Sequence, residues 1–296
     1  MPSIYVDCTV CGSHSQTPYF FENGHTIVRC NSCGHVFENP LNVSEVHERY
    51  TESGNWIADF PTQVSDYQDH PRSHIYKFAL GTLLKYGFNK GRILEIGCSR
   101  GHFLQFMHSA GYECWGVEPG KDALAAQMLE GVKVIHTFIE DFNPEQKFQA
   151  IFLLDVLEHI PNPHIVLEKV FSFLSNPGIV VAIVPNFNIQ QIRVFFAKFK
   201  LRPFHIILSP GNHINHFSPL HLKMFFERQP FSKVIICNSP IDLQYIRGLP
   251  RWWAPVKKGF WQVAAIAQSV FGVQLAGSIT AIALKSKDPG NMESKV

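Results

Sequence analysis

What this 296-residue chain lacks first is charge of one sign: 26 lysines and arginines stand against 24 aspartates and glutamates, a net charge of +2. Such a balance creates no global field to select nucleic acid or membrane, so either partner would have to be argued from a local patch. Charged residues make up only 17% and hydrophobic residues 46%, which excludes a disordered polymer and permits a sizeable core. The opening stretch MPSIYVDCTVC has no basic segment followed by an apolar one, so no secretory leader is expected. The length suits one large domain with a small companion, or two modest domains.

Cysteine is present in a pattern. Cys8 and Cys11 form one C-x2-C pair, and after eighteen residues Cys30 and Cys33 form another. Paired spacing in a chain without a leader reads as metal binding before disulfides, and it predicts a reducing, cytoplasmic setting. Four thiolates suit tetrahedral Zn²⁺ and leave no open position for catalysis, so the ion is expected to be structural. Gly12 and Gly34 close the two CxxCG knuckles and let backbone amides face the sulfurs. Residues 1–39 therefore read as a zinc ribbon, the alternative being four reduced cysteines in a small β unit. His14, His25 and His35 lie nearby and are expected at the surface, because the ligand set is already complete.

Residues 40–71 have no clear period and read as a linker or lid, with at most a short helix around Val46 to Tyr50. A helix is predicted from Arg72 to Tyr86, with Ile75, Phe78, Ala79, Leu83 and Tyr86 at helical spacing. RILEI (92–96) is a buried-strand pattern, GCSRG (97–101) a turn, and Phe103, Phe106, Met107 and Ala110 one face of a helix. A strand at ECWGVE, a helix through DALAAQMLE and a strand at VKVIH follow. This β-α-β-α-β order predicts a doubly wound parallel sheet with its ligand at the carboxyl ends of the strands.

The turn also lacks something. A dinucleotide site wants G-x-G-x-x-G, whereas Glu95 to Gly101 offers two glycines behind an acid, which argues against a nicotinamide cofactor. An acid facing the loop suits an ammonium or sulfonium ligand better than a phosphate. Glu118, ending the second strand, can accept from two ribose hydroxyls and would repel a 2′-phosphate. Asp141 could accept from an adenine amino group, with Phe142 covering the ring. FQAIFLLD is a fourth strand, ending at Asp155, and PGIVVAIVPN a fifth.

LEIGCSRGHFL, GVEPG, FLLDVLEHIPNP, GIVVAIVPN and NHINHFSPLHLKMFF occur in the order seen in class I S-adenosylmethionine-dependent methyltransferases, over roughly residues 72 to 240. With the front cysteines, the chain resembles the bacterial subgroup carrying an N-terminal zinc ribbon. That subgroup is similar to sugar C-methyltransferases and to enzymes of surface-polysaccharide or secondary-metabolite pathways. The resemblance implies a mostly parallel, seven-stranded Rossmann-like α/β sheet within residues 72–288, closed by SITAIALK, and a disordered tail at 289–296. It implies that the backbone at Gly97, Cys98, Ser99 and Gly101, with Glu95, holds the methionine end of the cofactor. Glu118 would bind its ribose, Asp141 and Phe142 its adenine, and Asp155 would close the site. Ser99 stands where the family usually has a second glycine, which leaves open a non-catalytic binding scaffold.

Methyl transfer is an in-line displacement that needs donor and acceptor aligned at about 3 to 3.5 Å and, for a protonated acceptor, a base. Candidate bases are His213, His159 and His216; the alternative for each is a loop histidine holding a carbonyl or packing a helix start. Cys98 and Cys114 read as packing residues.

Arg193, Lys198, Lys200 and Arg202 interleave with Phe195, Phe196, Phe199 and Phe204, and RGLPRWWAPVKKGFW repeats the combination. Such segments suit an anionic, partly apolar small-molecule substrate or peripheral contact with a membrane; a solvated amphipathic helix explains the first equally well. Gly259 to Leu284 carries no charge, yet its glutamines and glycines favour a short helix, a turn and a final antiparallel strand over a spanning helix. The chain thus reads as a methyltransferase acting on a carbohydrate-linked or lipid-linked acceptor. An RNA methyltransferase is the rival, but Arg29 is the only Lys or Arg before residue 40, against Asp7, Glu22 and Glu38.

Overall fold

The computed structural model describes residues 3–52, 67, 70–199, 208–240, 259, 262–263, 268 and 274–287. Between the cysteine pairs, β1 (Gln16–Glu22) and β2 (His25–Cys30) form an antiparallel hairpin. Its two-residue turn, Asn23-Gly24, has φ of 50° and 86°, the left-handed geometry that matches the twist of the flanking strands. β3 (Val36–Glu38) pairs with β2, and a two-residue strand from far along the chain, β9 (Asn215–His216), pairs with β3. The front sheet therefore has the order β1-β2-β3-β9 and is completed by a later segment.

Helix α1 (Val43–Glu52) is longer than the short helix expected there. In α2 (Ser73–Lys85) the buried stripe is Tyr76, Ala79, Thr82 and Leu83, with Ile75 and Tyr86 at its margins. The second sheet then builds through β4 (Arg92–Ile96), α3 (His102–Ser109), β5 (Glu113–Glu118), α4 (Asp122–Ala126), β6 (Val132–His136) and β7 (Phe148–Leu154). α4 is shorter than DALAAQMLE suggests, because hydrogen bonds beyond it tighten to i→i−3 at Met128 and Leu129. A 3-10 turn (Leu157–His159), α5 (Pro163–Phe173) and β8 (Leu174–Pro185) follow. α6 (Phe187–Lys198), α7 (Pro219–Phe226), β10 (Lys233–Asn238) and β11 (Ser278–Lys285) complete the set.

The seven strands are ordered β10-β11-β8-β7-β4-β5-β6. The pairs from β8 to β6 are parallel, while β10–β11 and β11–β8 are antiparallel, as expected of a closing SITAIALK strand. The chain winds outward from β4 through β5 to β6 and then from β7 to β8 on the other side. This leaves a crevice at the carboxyl ends of β4 and β7, the switch point where ligands bind in open α/β sheets.

Strands buried on both faces need continuous apolar runs. On one face Leu94, Ile96, Ile151, Leu153, Val180 and Ala182 pack in a single cluster with Cys8, Val10, Val28, Cys30 and Phe37 of the front sheet. On the other, Ile93, Ala150, Phe152, Ile179 and Val181 meet α2 and α3. The cysteine module thus shares one core with the seven-stranded sheet, joined through Leu222, Phe225 and Phe226 of α7 and Val166, Leu167 and Val170 of α5. On α6, Ile192, Phe195 and Phe199 are exposed among the described residues. No helix among those residues is long and apolar enough to cross a membrane. Lys200, Arg202, Phe204, most of 247–261 and the tail 289–296 lie outside the described residues.

Candidate active site

The turn after β4 is shaped by conformation and by two acids. Gly97 has φ of 72°, and a Cβ there would lie 2.7 Å from Val156 Cγ2, so an L side chain would be strained and would have to displace Val156. Ser99 takes φ of 46° and is held in it: its N–H donates to Glu118 Oε2 at 2.8 Å and its hydroxyl to Asp122 Oδ2 at 3.0 Å. Arg100 Nε reaches Asp122 Oδ1 at 3.1 Å, and Gly120 N–H donates to Glu118 Oε1 at 2.7 Å. Serine therefore occupies the glycine-like position through bonds that glycine could not make in full.

A cavity of about 640 Å³ opens at the carboxyl ends of β4, β5 and β7. Glu95, Gly97, Cys98, Ser99, Glu118, Asp141, Asp155 and His159 line it together. Glu95 is 5% exposed, and its Oε2 has no hydrogen-bond partner among the described residues. Burial pushes its carboxyl well above the usual range, opposed by the positive charge of Arg72. Burial likewise raises Glu118, opposed by the two backbone N–H groups that it accepts.

Phe142, His216 and His35 stand elsewhere than expected, whereas Gly101 keeps its place in the turn. Phe142 does not line the cavity: it is buried edge-on to Phe173 at 5.7 Å, and the residues beside Asp141 at the cavity are Phe138 and Ile139. Gly101 caps the start of α3 with φ of 77°, and a Cβ there would lie 2.7 Å from Leu129 Cδ1 and 3.2 Å from Ala126 Cβ. His216 is 2% exposed within β9, packed against Phe187, because the front sheet recruits its backbone; burial depresses it to about 3. His35 is wholly buried between Phe37, Phe217 and His221 instead of lying at the surface, since α7 and the segment before it cover the front sheet there.

His159 Nδ1 donates to the Asn212 carbonyl at 2.7 Å, and burial lowers it to about 4. His213 stacks edge-on to His159 at 4.9 Å, outside the cavity lining, and burial lowers it to about 4 as well. Cys98 and Cys114 are buried thiols, the latter pushed up to about 12 by desolvation, consistent with packing.

Sequence reasoning passed over residues that come from outside the motifs. Arg72, ahead of α2, lines the cavity and donates to Asp155 Oδ2 at 2.5 Å. His70, from the same segment, and Val43, Val46, His47 and Tyr50 of α1 form another wall. The helical period of Val43–Glu52 could have flagged the helix; nothing local could have placed it over the cavity.

At the other end of the ribbon, the four cysteine sulfurs lie within 4.8 Å of one another, with Cys8–Cys33 at 3.6 Å and Cys11–Cys30 at 3.5 Å. Tetrahedral Zn–S bonds of ~2.3 Å would separate sulfurs by about 3.8 Å. Backbone N–H groups of Val10 and Cys11 face Cys8, and those of Ser32 and Cys33 face Cys30. The donor set and its amide support fit such an ion.

A family model described as a methyltransferase domain matches residues 69–234. No curated protein matches the sequence. Among solved structures, the plantazolicin methyltransferase BpumL in complex with SAH is similar at 15% identity, covering 82% of this chain and 95% of that one, with a TM-score of 0.53. The plantazolicin methyltransferase BamL, with an analog and SAH, gives 16%, 83%, 96% and 0.53. Magnesium protoporphyrin IX methyltransferase (ChlM) from Synechocystis PCC 6803, with bound SAH, gives 12%, 82%, 99% and 0.51. At these identities the likeness is one of fold.

Proposed function

The chain belongs to the methyltransferase domain family, and from that premise we propose that it transfers the methyl group of S-adenosylmethionine to a small-molecule acceptor, carbohydrate-linked or lipid-linked. The observation that carries this reading is one cavity at the switch point holding Glu95, Glu118, Asp141 and Asp155 with Arg72. When bound, S-adenosylmethionine supplies a methyl group on a sulfonium centre.

The chain's own residues fit that donor. A carboxylate offers about four lone-pair sites. Glu118 uses two on Ser99 and Gly120 and keeps one on each oxygen, enough for two ribose hydroxyls. A zwitterionic amino-acid end needs a cation and an anion side by side, for which Arg72 with Asp155 would serve, with the Glu95 oxygen that has no partner among the described residues as a further polar contact. Asp141 would accept from the adenine amino group, with Phe138 and Ile139 in the covering role first given to Phe142. His47, Tyr50 and His159 border the space left for the acceptor. The carbohydrate-linked or lipid-linked acceptor class rests on the motif resemblance. We propose further that Cys8, Cys11, Cys30 and Cys33 hold structural zinc, which their spacing and geometry support.

Calorimetric titration with S-adenosylmethionine, S-adenosylhomocysteine and NADH, with zinc measured on the same sample, tests the reading. Micromolar binding of both adenosyl ligands and none of NADH is expected. Folded, zinc-loaded protein that binds neither adenosyl ligand would overturn it in favour of a scaffold. Transfer of labelled methyl to nucleotide-linked sugars, against RNA as the control acceptor, tests the acceptor class.

A further inference from the structure

We propose that Glu158, His159 and His213 form a second metal site, distinct from the four cysteines, for a divalent transition-metal ion at the wall of the cavity.

Glu158 is 1% exposed, and apart from a contact with its own backbone N–H neither carboxylate oxygen has a partner among the described residues. A buried carboxylate left unpaired is costly and calls for an ion or another explanation. The two imidazoles beside it answer that need. His159 gives its Nδ1 proton to the Asn212 carbonyl at 2.7 Å, so its Nε2 carries the lone pair, 3.9 Å from Glu158 Oε1. A ligating histidine is ordinarily oriented in this way, with its other nitrogen donating to a backbone carbonyl. Tyr50 donates to the same carbonyl at 3.1 Å.

The loop bearing His213 is pinned to the turn bearing Glu158, because Ile214 N–H donates to the Glu158 carbonyl at 2.7 Å. One ligand atom from each of Glu158, His159 and His213 lies within 4.8 Å of the others. Ligand atoms at ~2.1 Å from a tetrahedral ion stand about 3.4 Å apart, so closure asks for a shift of up to about 1.4 Å.

Two imidazole nitrogens and one carboxylate favour zinc, iron, cobalt or manganese over magnesium or calcium, and three ligands leave a position open. His159 itself lines the cavity, so that position can take an oxygen of the acceptor. This role rests on the methyltransferase reading, whereas the binding of the ion does not. With an ion bound, the Nε2 lone pair of His159 is engaged and the residue holds metal instead of serving as a free base.

The test uses the full chain, chelator-treated until one zinc remains, and then titrated with Co²⁺ by absorption and calorimetry. We expect one further Co²⁺ per chain, with visible bands but no added thiolate-to-cobalt charge transfer. Glu158→Gln and His213→Asn should each weaken it by roughly tenfold or more, with unchanged circular dichroism. No Co²⁺ uptake beyond the cysteine site, or undiminished uptake in folded Glu158→Gln, would overturn the proposal. S-adenosylhomocysteine binding on the same samples reads the donor site independently, so failure of either idea is visible alone.

Discussion

Arg72 and Asp155, 83 residues apart in sequence, meet at 2.5 Å on the wall of the cavity. Asp155 holds φ of 60° at the end of β7, and Arg72 stands at the entry to α2, so the pair ties the segment before the sheet to its switch point. Each side chain is about a third exposed (29% and 35%), so the pair by itself contributes little to stability, about 0 to 1 kcal/mol. In the proposed function the pair presents charge to the amino-acid end of the donor.

Arg72→Ala is accordingly expected to leave Tm nearly unchanged while weakening S-adenosylhomocysteine binding by about 1.5 to 3 kcal/mol, the worth of a charged hydrogen bond. Calorimetry on the variant decides it. Wild-type affinity would remove Arg72 from the donor site.

Glu118→Ala should weaken the same ligand by a similar ~1.5 to 3 kcal/mol, since a charged acceptor is lost. It should also lower Tm, because Ser99 and Gly120 lose their acceptor. An unchanged binding constant would contradict the ribose assignment.

Gly97→Ala places a methyl 2.7 Å from Val156 Cγ2 at φ of 72°. The left-handed conformation alone costs ~1 to 2 kcal/mol. We expect lower Tm and weaker cofactor binding, with Val156→Ala recovering part of the clash but none of the backbone strain. A double variant no better than Gly97→Ala would show that close approach to Val156 is not the constraint.

Cys30→Ser should release the ribbon's zinc and lower the melting temperature of the whole chain in one transition. The cysteine knuckles share a core cluster with β7 and β8, and Thr9, Cys33 and Val10 bond to Asn215, His221 and Arg228 at 2.6, 2.9 and 3.0 Å. A variant that loses zinc but keeps the wild-type main transition would mean that the ribbon folds independently.

His216, held near 3 by burial, is neutral in the folded chain, whereas unfolded histidine titrates near 6.5. The unfolded state therefore binds more protons as pH falls below about 6.5, and the stability contributed by neutral His216 is lost progressively toward its folded value. His216→Leu lacks this loss, so the stability gap between wild type and variant should shift against wild type from pH 7 to 4.5. Denaturant titrations at both pH values measure it; a constant gap would contradict the neutral, buried assignment.

What the sequence determined by itself is whatever local chemistry encodes. Two C-x2-C pairs, a glycine-bearing turn behind an acid, and strands written as unbroken apolar runs each carry their signal within a few residues. The cysteine module, the parallel strands and the turn at Gly97–Gly101 were therefore legible, and so was the place of Glu95, Glu118 and Asp155 on the cavity wall, since strand ends meet at a switch point. Only the tertiary structure decided what depends on distant partners. β9 is two residues long and has no period to read, so its capture by β3, and with it the burial of His216, had no local trace. Phe142 and Asp141 are adjacent, but which of them meets the cavity depends on Phe173 covering one side. Arg72, His47 and Tyr50 enter the site because α1 and the segment before α2 fold back over it. Burial and long-range pairing are properties of the packed chain, and no window of sequence contains both halves of such a contact.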